Sequence, residues 1–158
     1  MRKLYFIVPI IMLFLSTGMS HAQEYRTALG LRLGSSTGLT VKHFLNPGAA
    51  VEGLLTSRWN GFLITGLYEV TGNAFDEPHL NWYLGGGAHI GFWDSDPYWR
   101  RAGDSGSVFG IDFIGGLEYT FQEIPLNLAL DWKPAINLIG DRSFWGDEFA
   151  LSIRFAFK

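Results

Sequence analysis

Hydrolytic and acyl-transfer chemistry needs a base, an acid that orients it and a nucleophile. His89 and Asp112 are the residues best placed for the first two roles. If Trp93 pairs with Val108 in a hairpin, His89 and Asp112 face each other directly. The third role is unfilled. Gly91 stands two residues from His89, and Ser95 and Ser105 fall in a loop. His79 falls in a turn, and His43 has the parity of an apolar face. The pair therefore reads as an interior hydrogen bond, with catalysis as the alternative.

A second set is ionic. Taking Asn46-Pro47-Gly48 as a three-residue loop puts Leu45 opposite Ala49 and Lys42 opposite Glu52. Taking Asn60-Gly61 as a two-residue loop puts Trp59 opposite Phe62 and Glu52 opposite Glu69. Lys42, Glu52 and Glu69 then share one row, and two adjacent carboxylates need the cation or a proton between them. Phe121 opposite Leu126 sets Glu118 across from Ala129, and a short final loop sets Ala129 across from Arg154. Glu118 then reaches Arg154 over a small residue. The cluster reads either as a proton relay or as a structural plug of ion pairs. The plug is favoured because buried charges must be paired. No metal or cofactor is expected. The chain has no cysteine and its histidines are scattered. Gly85-Gly86-Gly87 opens no helix and so is no phosphate loop.

The segments that carry these residues have a period of two, the signature of strands. Residues 26–34, 38–45, 49–59, 62–71, 80–93, 108–121, 126–133 and 149–158 alternate apolar with polar or glycine. They make eight strands, near the 9–11 residues of a tilted membrane-spanning strand. Arg26, Arg32, Lys42, Glu52, Arg58, Glu69, Asp112, Glu118, Asp131, Lys133, Arg154 and Lys158 all share the polar parity. The apolar parity carries no Asp, Glu, Lys or Arg.

Residues 1–22 read as a cleaved signal peptide. Arg2 and Lys3 precede an apolar stretch over 4–15, and Ser20-His21-Ala22 supplies the small residues of a cleavage site before Gln23. The stretch is too short to cross about 30 Å of hydrocarbon as a helix. Residues 23–158 form the one expected domain, a β-barrel. Charged residues are 17% of the 158, against about 25% in ordinary soluble chains. Glycine reaches 20 residues and mean hydropathy is +0.12, which alternation explains without a long apolar run. The net charge of −3, more negative still without the basic signal, excludes a nucleic-acid partner.

Two barrels fit eight alternating strands. A lipocalin-like periplasmic carrier turns the apolar face inward around an apolar ligand. An outer-membrane barrel turns it outward to lipid. The second is favoured. The polar face of 80–93 is rich in glycine, which suits a narrow lumen. Trp59, Phe62, Trp82, Trp132, Tyr119, Phe121 and Phe157 lie near strand ends, where interfacial girdles belong.

Residues 80–93 (LNWYLGGGAHIGFW) and 110–140 (GIDFIGGLEYTFQEIPLNLALDWKPAINLIG) resemble segments of small outer-membrane β-barrel proteins of Bacteroidota-type bacteria. The whole of 23–158 is similar to the eight-stranded OmpA/OmpX-type barrels. The resemblance implies an antiparallel up-and-down transmembrane barrel in the outer membrane, and carries over no catalytic residue. External loops are then 34–37, 60–61, 94–107 and 134–148, with 71–79 a periplasmic turn. Tyr98, Trp99, Arg100, Arg101, Phe144 and Trp145 are the expected external contacts, because aromatic and arginine residues make binding hot spots. The partners are outer-membrane lipids, lipopolysaccharide phosphates at Arg100 and Arg101, or other envelope proteins. The expected role is structural or adhesive, with the lumen closed by ion pairs. A lipid A acyl hydrolase or transferase built on His89 and Asp112 is the enzyme alternative.

Overall fold

The computed structural model describes residues 25–58, 61–93, 107–139 and 144–157. Its strands are β1 (Thr27–Gly34), β2 (Thr37–Asn46), β3 (Ala49–Arg58), β4 (Gly61–Asn73), β5 (Leu80–Trp93), β6 (Ser107–Thr120), β7 (Leu126–Trp132), β8 (Ala135–Ile139), β9 (Phe144–Trp145) and β10 (Phe149–Phe157). Neighbours pair antiparallel in the order β5-β4-β3-β2-β1-β10-β7-β6, and β6 pairs back onto β5. That last pairing closes the sheet and removes its edges.

The ten strands make eight barrel walls. β7 and β8 hold one register against β6, from Thr120↔Asn127 to Asp112↔Ala135. Pro134 interrupts the ladder because it has no N–H to donate. Its carbonyl still accepts from the Phe113 amide at 2.9 Å. β9 continues the wall of β10 by pairing with β8. The reading of 134–148 as a loop is corrected here: the wall runs through the proline, and 135–139 and 144–145 are strand. The turn over 71–79 is shorter too, since β4 runs to Asn73. Phe75, Asp76 and His79 take positive φ in what remains of it.

The apolar parity faces outward. Leu31, Phe113 and Leu130 are 53%, 53% and 62% exposed, while Arg32, Lys42, Glu69, Asp112 and Arg154 are fully buried. This inverts the usual distribution, in which charged side chains are almost never fully buried. An apolar-ligand carrier needs the opposite orientation, so the wall does not fit that alternative. The inward face is not wholly polar. Leu54, Leu67, Tyr83, Ile114 and Ala129 form an apolar girdle within the lumen. Glycine keeps this narrow space open. A Cβ at Gly116 would meet Asp131 Cβ at 2.6 Å and Tyr83 Cζ at 2.8 Å. Arg26 precedes β1 and is exposed.

Four expected registers change. Asn46 rather than Leu45 pairs with Ala49, and Leu45 is the extra residue of a bulge. A two-residue turn plus one bulged residue has the same offset as a three-residue loop, so Lys42 stays opposite Glu52. In the next hairpin Ser57, not Trp59, pairs with Phe62. Glu52 lies opposite Leu67, and Glu69 lies opposite Ala50. Gly91, not Trp93, pairs with Val108, which puts His89 opposite Gly110 and Asp112 opposite Gly87. Ser152, not Arg154, faces Ala129, while Arg154 faces Asn127. The last three are slips of two residues. Such a slip keeps every side chain on its face, so the sorting of faces does not detect it.

Candidate functional site

Alternation turns one side chain in two into the lumen, and eight strands leave an interior just wide enough for side chains to fill. The interior charges therefore meet each other rather than water. They fall into two clusters on either side of Tyr83.

The first cluster lies toward the end where β1 begins and β10 finishes. It joins the residues of the expected row, Lys42, Glu52 and Glu69, with those of the expected pair, Glu118 and Arg154. Lys42 Nζ lies 2.7 Å from Glu69 Oε2 and 3.2 Å from Glu118 Oε1. Arg154 Nη2 donates to Glu52 Oε1 at 2.5 Å, and Arg154 Nε donates to Thr40 Oγ1 at 3.2 Å. The Thr40 hydroxyl in turn donates to Glu52. Asn127 bridges the two halves, accepting from Arg154 Nη1 at 3.1 Å and donating to Glu118 Oε2 at 3.1 Å.

The expected contact of Glu118 with Arg154 is a long one, 3.8 Å. Arg154 sits opposite Asn127, so its close carboxylate is Glu52. Removing Glu118 therefore does not strand Arg154. Tyr25, from the segment before β1, donates to Glu118 Oε2 at 2.8 Å. Its ring packs edge-on against Phe44 at 5.0 Å, which closes this end of the lumen.

The second cluster fills the opposite end. Arg32 donates a bidentate pair to Asp131 at 2.7 and 2.9 Å, and Tyr83 donates to the same carboxylate at 2.8 Å. Lys133 Nζ lies 2.7 Å from Asp112 and 3.2 Å from Glu148. Glu148 also accepts from Ser36 at 2.6 Å and from Arg58 at 3.5 Å. His89 Nδ1 meets Asp112 Oδ2 at 2.7 Å, and His89 Nε2 meets the Asn137 amide at 2.8 Å. Both ring nitrogens are thus engaged.

Trp145 caps this end. Its ring stacks on His89 at 5.6 Å and lies 5.1 Å from the Arg58 guanidinium. Of the expected external contacts, Phe144 is exposed, whereas Trp145 is drawn onto the barrel mouth. Tyr98, Trp99, Arg100 and Arg101 lie outside the described residues, as does the segment 1–22 expected to be a signal. The cap is fastened by 146–148. Trp132 Nε1 donates to the Gly146 carbonyl at 2.7 Å, Ser35 to the Asp147 carbonyl at 2.7 Å, and Arg58 to the Asp147 carboxylate at 2.8 Å. The Arg58 hydrogen bond holds the exposed Asp147 carboxyl below the usual carboxylate range.

Much of the second cluster escaped the sequence reading. Arg32, Asp131 and Lys133 were visible as polar-parity residues without partners. Glu148, its hub, is hidden in the sequence because a proline reads as a strand end. Tyr25, Thr40, Tyr83 and Asn127 carry no charge, and nothing in their spacing marks them as bridges.

Among the described residues no group of three or more His, Cys, Asp or Glu is arranged to hold a metal. Neither a protein-family model nor any curated protein matches this chain.

Proposed function

We propose that the protein is an integral outer-membrane β-barrel of the small OmpA/OmpX type, exported by the signal over 1–22. Its role is structural or adhesive, exercised through the loops at the Trp145 end. One observation carries the reading: a closed barrel with leucine, isoleucine and phenylalanine exposed around its wall and charged residues buried in its lumen. Exposed apolar belts of this extent are unfavourable in water. In a bilayer they face acyl chains, while the closed ladder pairs backbone groups strand to strand around the wall.

The filled lumen favours a closed scaffold over a wide pore. The engaged nitrogens of His89 favour an interior hydrogen bond over a lipid A-modifying centre. The loops then meet lipopolysaccharide or envelope proteins.

Cell fractionation with heat-modifiable gel migration tests the reading. The expected result is recovery in the outer membrane with an unheated band that migrates faster than the boiled one. Recovery in the soluble periplasm would overturn it. Sustained large conductance in a planar bilayer would overturn the closed lumen alone.

A further inference from the structure

The cluster around Lys42 is one positive charge short. Two cations, Lys42 and Arg154, face three carboxylates, Glu52, Glu69 and Glu118, and all five are buried. The second cluster shows no such deficit. There Arg32, Arg58 and Lys133 answer the buried Asp112, Asp131 and Glu148.

The surplus is local. Glu118 receives hydrogen bonds from Lys42, Tyr25 and Asn127. Glu52 uses Oε1 for Arg154 and Thr40, and its Oε2 has no partner. Glu69 approaches Lys42 through Oε2, and its Oε1 has no partner. Glu69 and Glu52 lie on adjacent strands as diagonal neighbours on the inward face, within reach of each other. Two ionised carboxylates have only acceptors, so neither could supply a hydrogen to the other's unpartnered oxygen. An unpaired buried charge is also among the most unfavourable arrangements in a protein.

We propose that Glu52 and Glu69 form a proton-binding site inside the barrel, the two carboxyls sharing one proton. The shared O–H supplies the missing donor and brings the cluster to neutrality. The groups facing the pair are Lys42 and Thr40 on β2, Arg154 on β10, Arg32 on β1, Tyr83 on β5, Glu118 on β6 and Tyr25. Among these Lys42 and Arg154 are the cations in contact with the carboxylates, and the third cation, Arg32, is held by Asp131 in the second cluster. A divalent cation would want six or more oxygen ligands, and no group of three metal-ligating side chains is present among the described residues. The site does not depend on where in the cell the barrel resides.

Infrared spectroscopy of the folded protein in detergent micelles tests this. The expected spectrum at neutral pH contains the carbonyl stretch of a protonated carboxylic acid. That band shifts in D2O, shifts again on glutamate-specific 13C labelling, and is absent in Glu69→Gln. Glutamine supplies an N–H in place of the shared proton, so E69Q keeps the unfolding midpoint of the parent or raises it. Glu52→Gln lowers the midpoint because Arg154 loses its carboxylate. Absence of the band in the parent protein overturns the proposal even if neither variant folds, and so does a band that survives in E69Q. A midpoint that rises on exchanging choline for sodium, with no band, would assign the site to an inorganic cation instead.

Discussion

His89 and Asp112 are bonded at 2.7 Å although neither lies opposite the other in the ladder. His89 faces Gly110 and Asp112 faces Gly87. The two acidic and imidazole groups meet along a diagonal, over positions that carry no side chain. Diagonal neighbours on one face of an antiparallel pair are about 7–8 Å apart, within reach of long side chains. Glycine opposite each partner is what leaves the path clear.

That path gives a sharp steric test. A Cβ at Gly110 would meet the Ile136 carbonyl oxygen at 2.4 Å, His89 Cε1 at 2.6 Å and the Asn137 Cα at 3.0 Å. Gly110→Ala is expected to destabilise the barrel by about 1–3 kcal/mol, the usual range for overpacking. Urea unfolding followed by tryptophan fluorescence reads this directly. An unchanged midpoint would mean that the diagonal contact has room to spare.

The ion pairs of the first cluster are expected to be unequal. Arg154→Met leaves Glu52 buried without its cation and is expected to lose about 3–5 kcal/mol. Adding Glu52→Met should recover a large part, since removing both partners abolishes the stranded charge. Glu118→Ala should lose less than Arg154→Met, because Lys42 retains Glu69 and Arg154 retains Glu52. The same unfolding experiment orders the three, and equal losses for Glu118→Ala and Arg154→Met would contradict the pairing described above.

Phe113 sits midway along β6 and points outward. If the wall lies in lipid, Phe113→Arg is expected to reduce folding stability in bilayers by about 2–4 kcal/mol, the penalty for arginine near the midplane. On a water-facing wall the same change would be close to neutral. Refolding titrations into vesicles distinguish the two.

The Asp147–Arg58 pair ties the cap to the barrel mouth. Because Arg58 lowers the folded-state pKa of Asp147, the pair contributes stability above the ordinary carboxylate range, about 4. That contribution is lost as pH falls through the lowered value. Asp147 is exposed, so the effect should be small. Asp147→Asn should flatten this acid limb of the stability profile. About 1 M salt, which screens charges beyond roughly 3 Å, should have a similar effect on the parent. A profile that is identical in the variant would show that the cap is held by its backbone and tryptophan contacts alone.

The face of each residue in the eight alternating segments was legible in the chain, and so was the polar parity of the Lys42 cluster, but the wall beyond Pro134 was not. Strand parity is a local property with a period of two, and lysine or glutamate on a polar parity has one place to go once a sheet closes. Partner identity was not legible, because partners depend on offsets between strands. A two-residue change of offset moved Arg154 from Ala129 to Asn127 and Glu69 from Glu52 to Ala50 without altering any face. Pro134 misled for a related reason. Lack of an N–H is a local fact, whereas the tolerance of the wall for it depends on the Phe113 amide finding the Pro134 carbonyl across the ladder.

Alternation and turn residues alone therefore determined an eight-walled barrel with charge on one side of its wall. Closure of the sheet decided the rest. It brought β5 against β6, set the diagonals on which His89 meets Asp112, and drew Tyr25 and Trp145 over the two ends of the lumen. The physical reason is distance along the chain: parity is set by the next residue, but a buried charge is paired by whichever strand arrives opposite it.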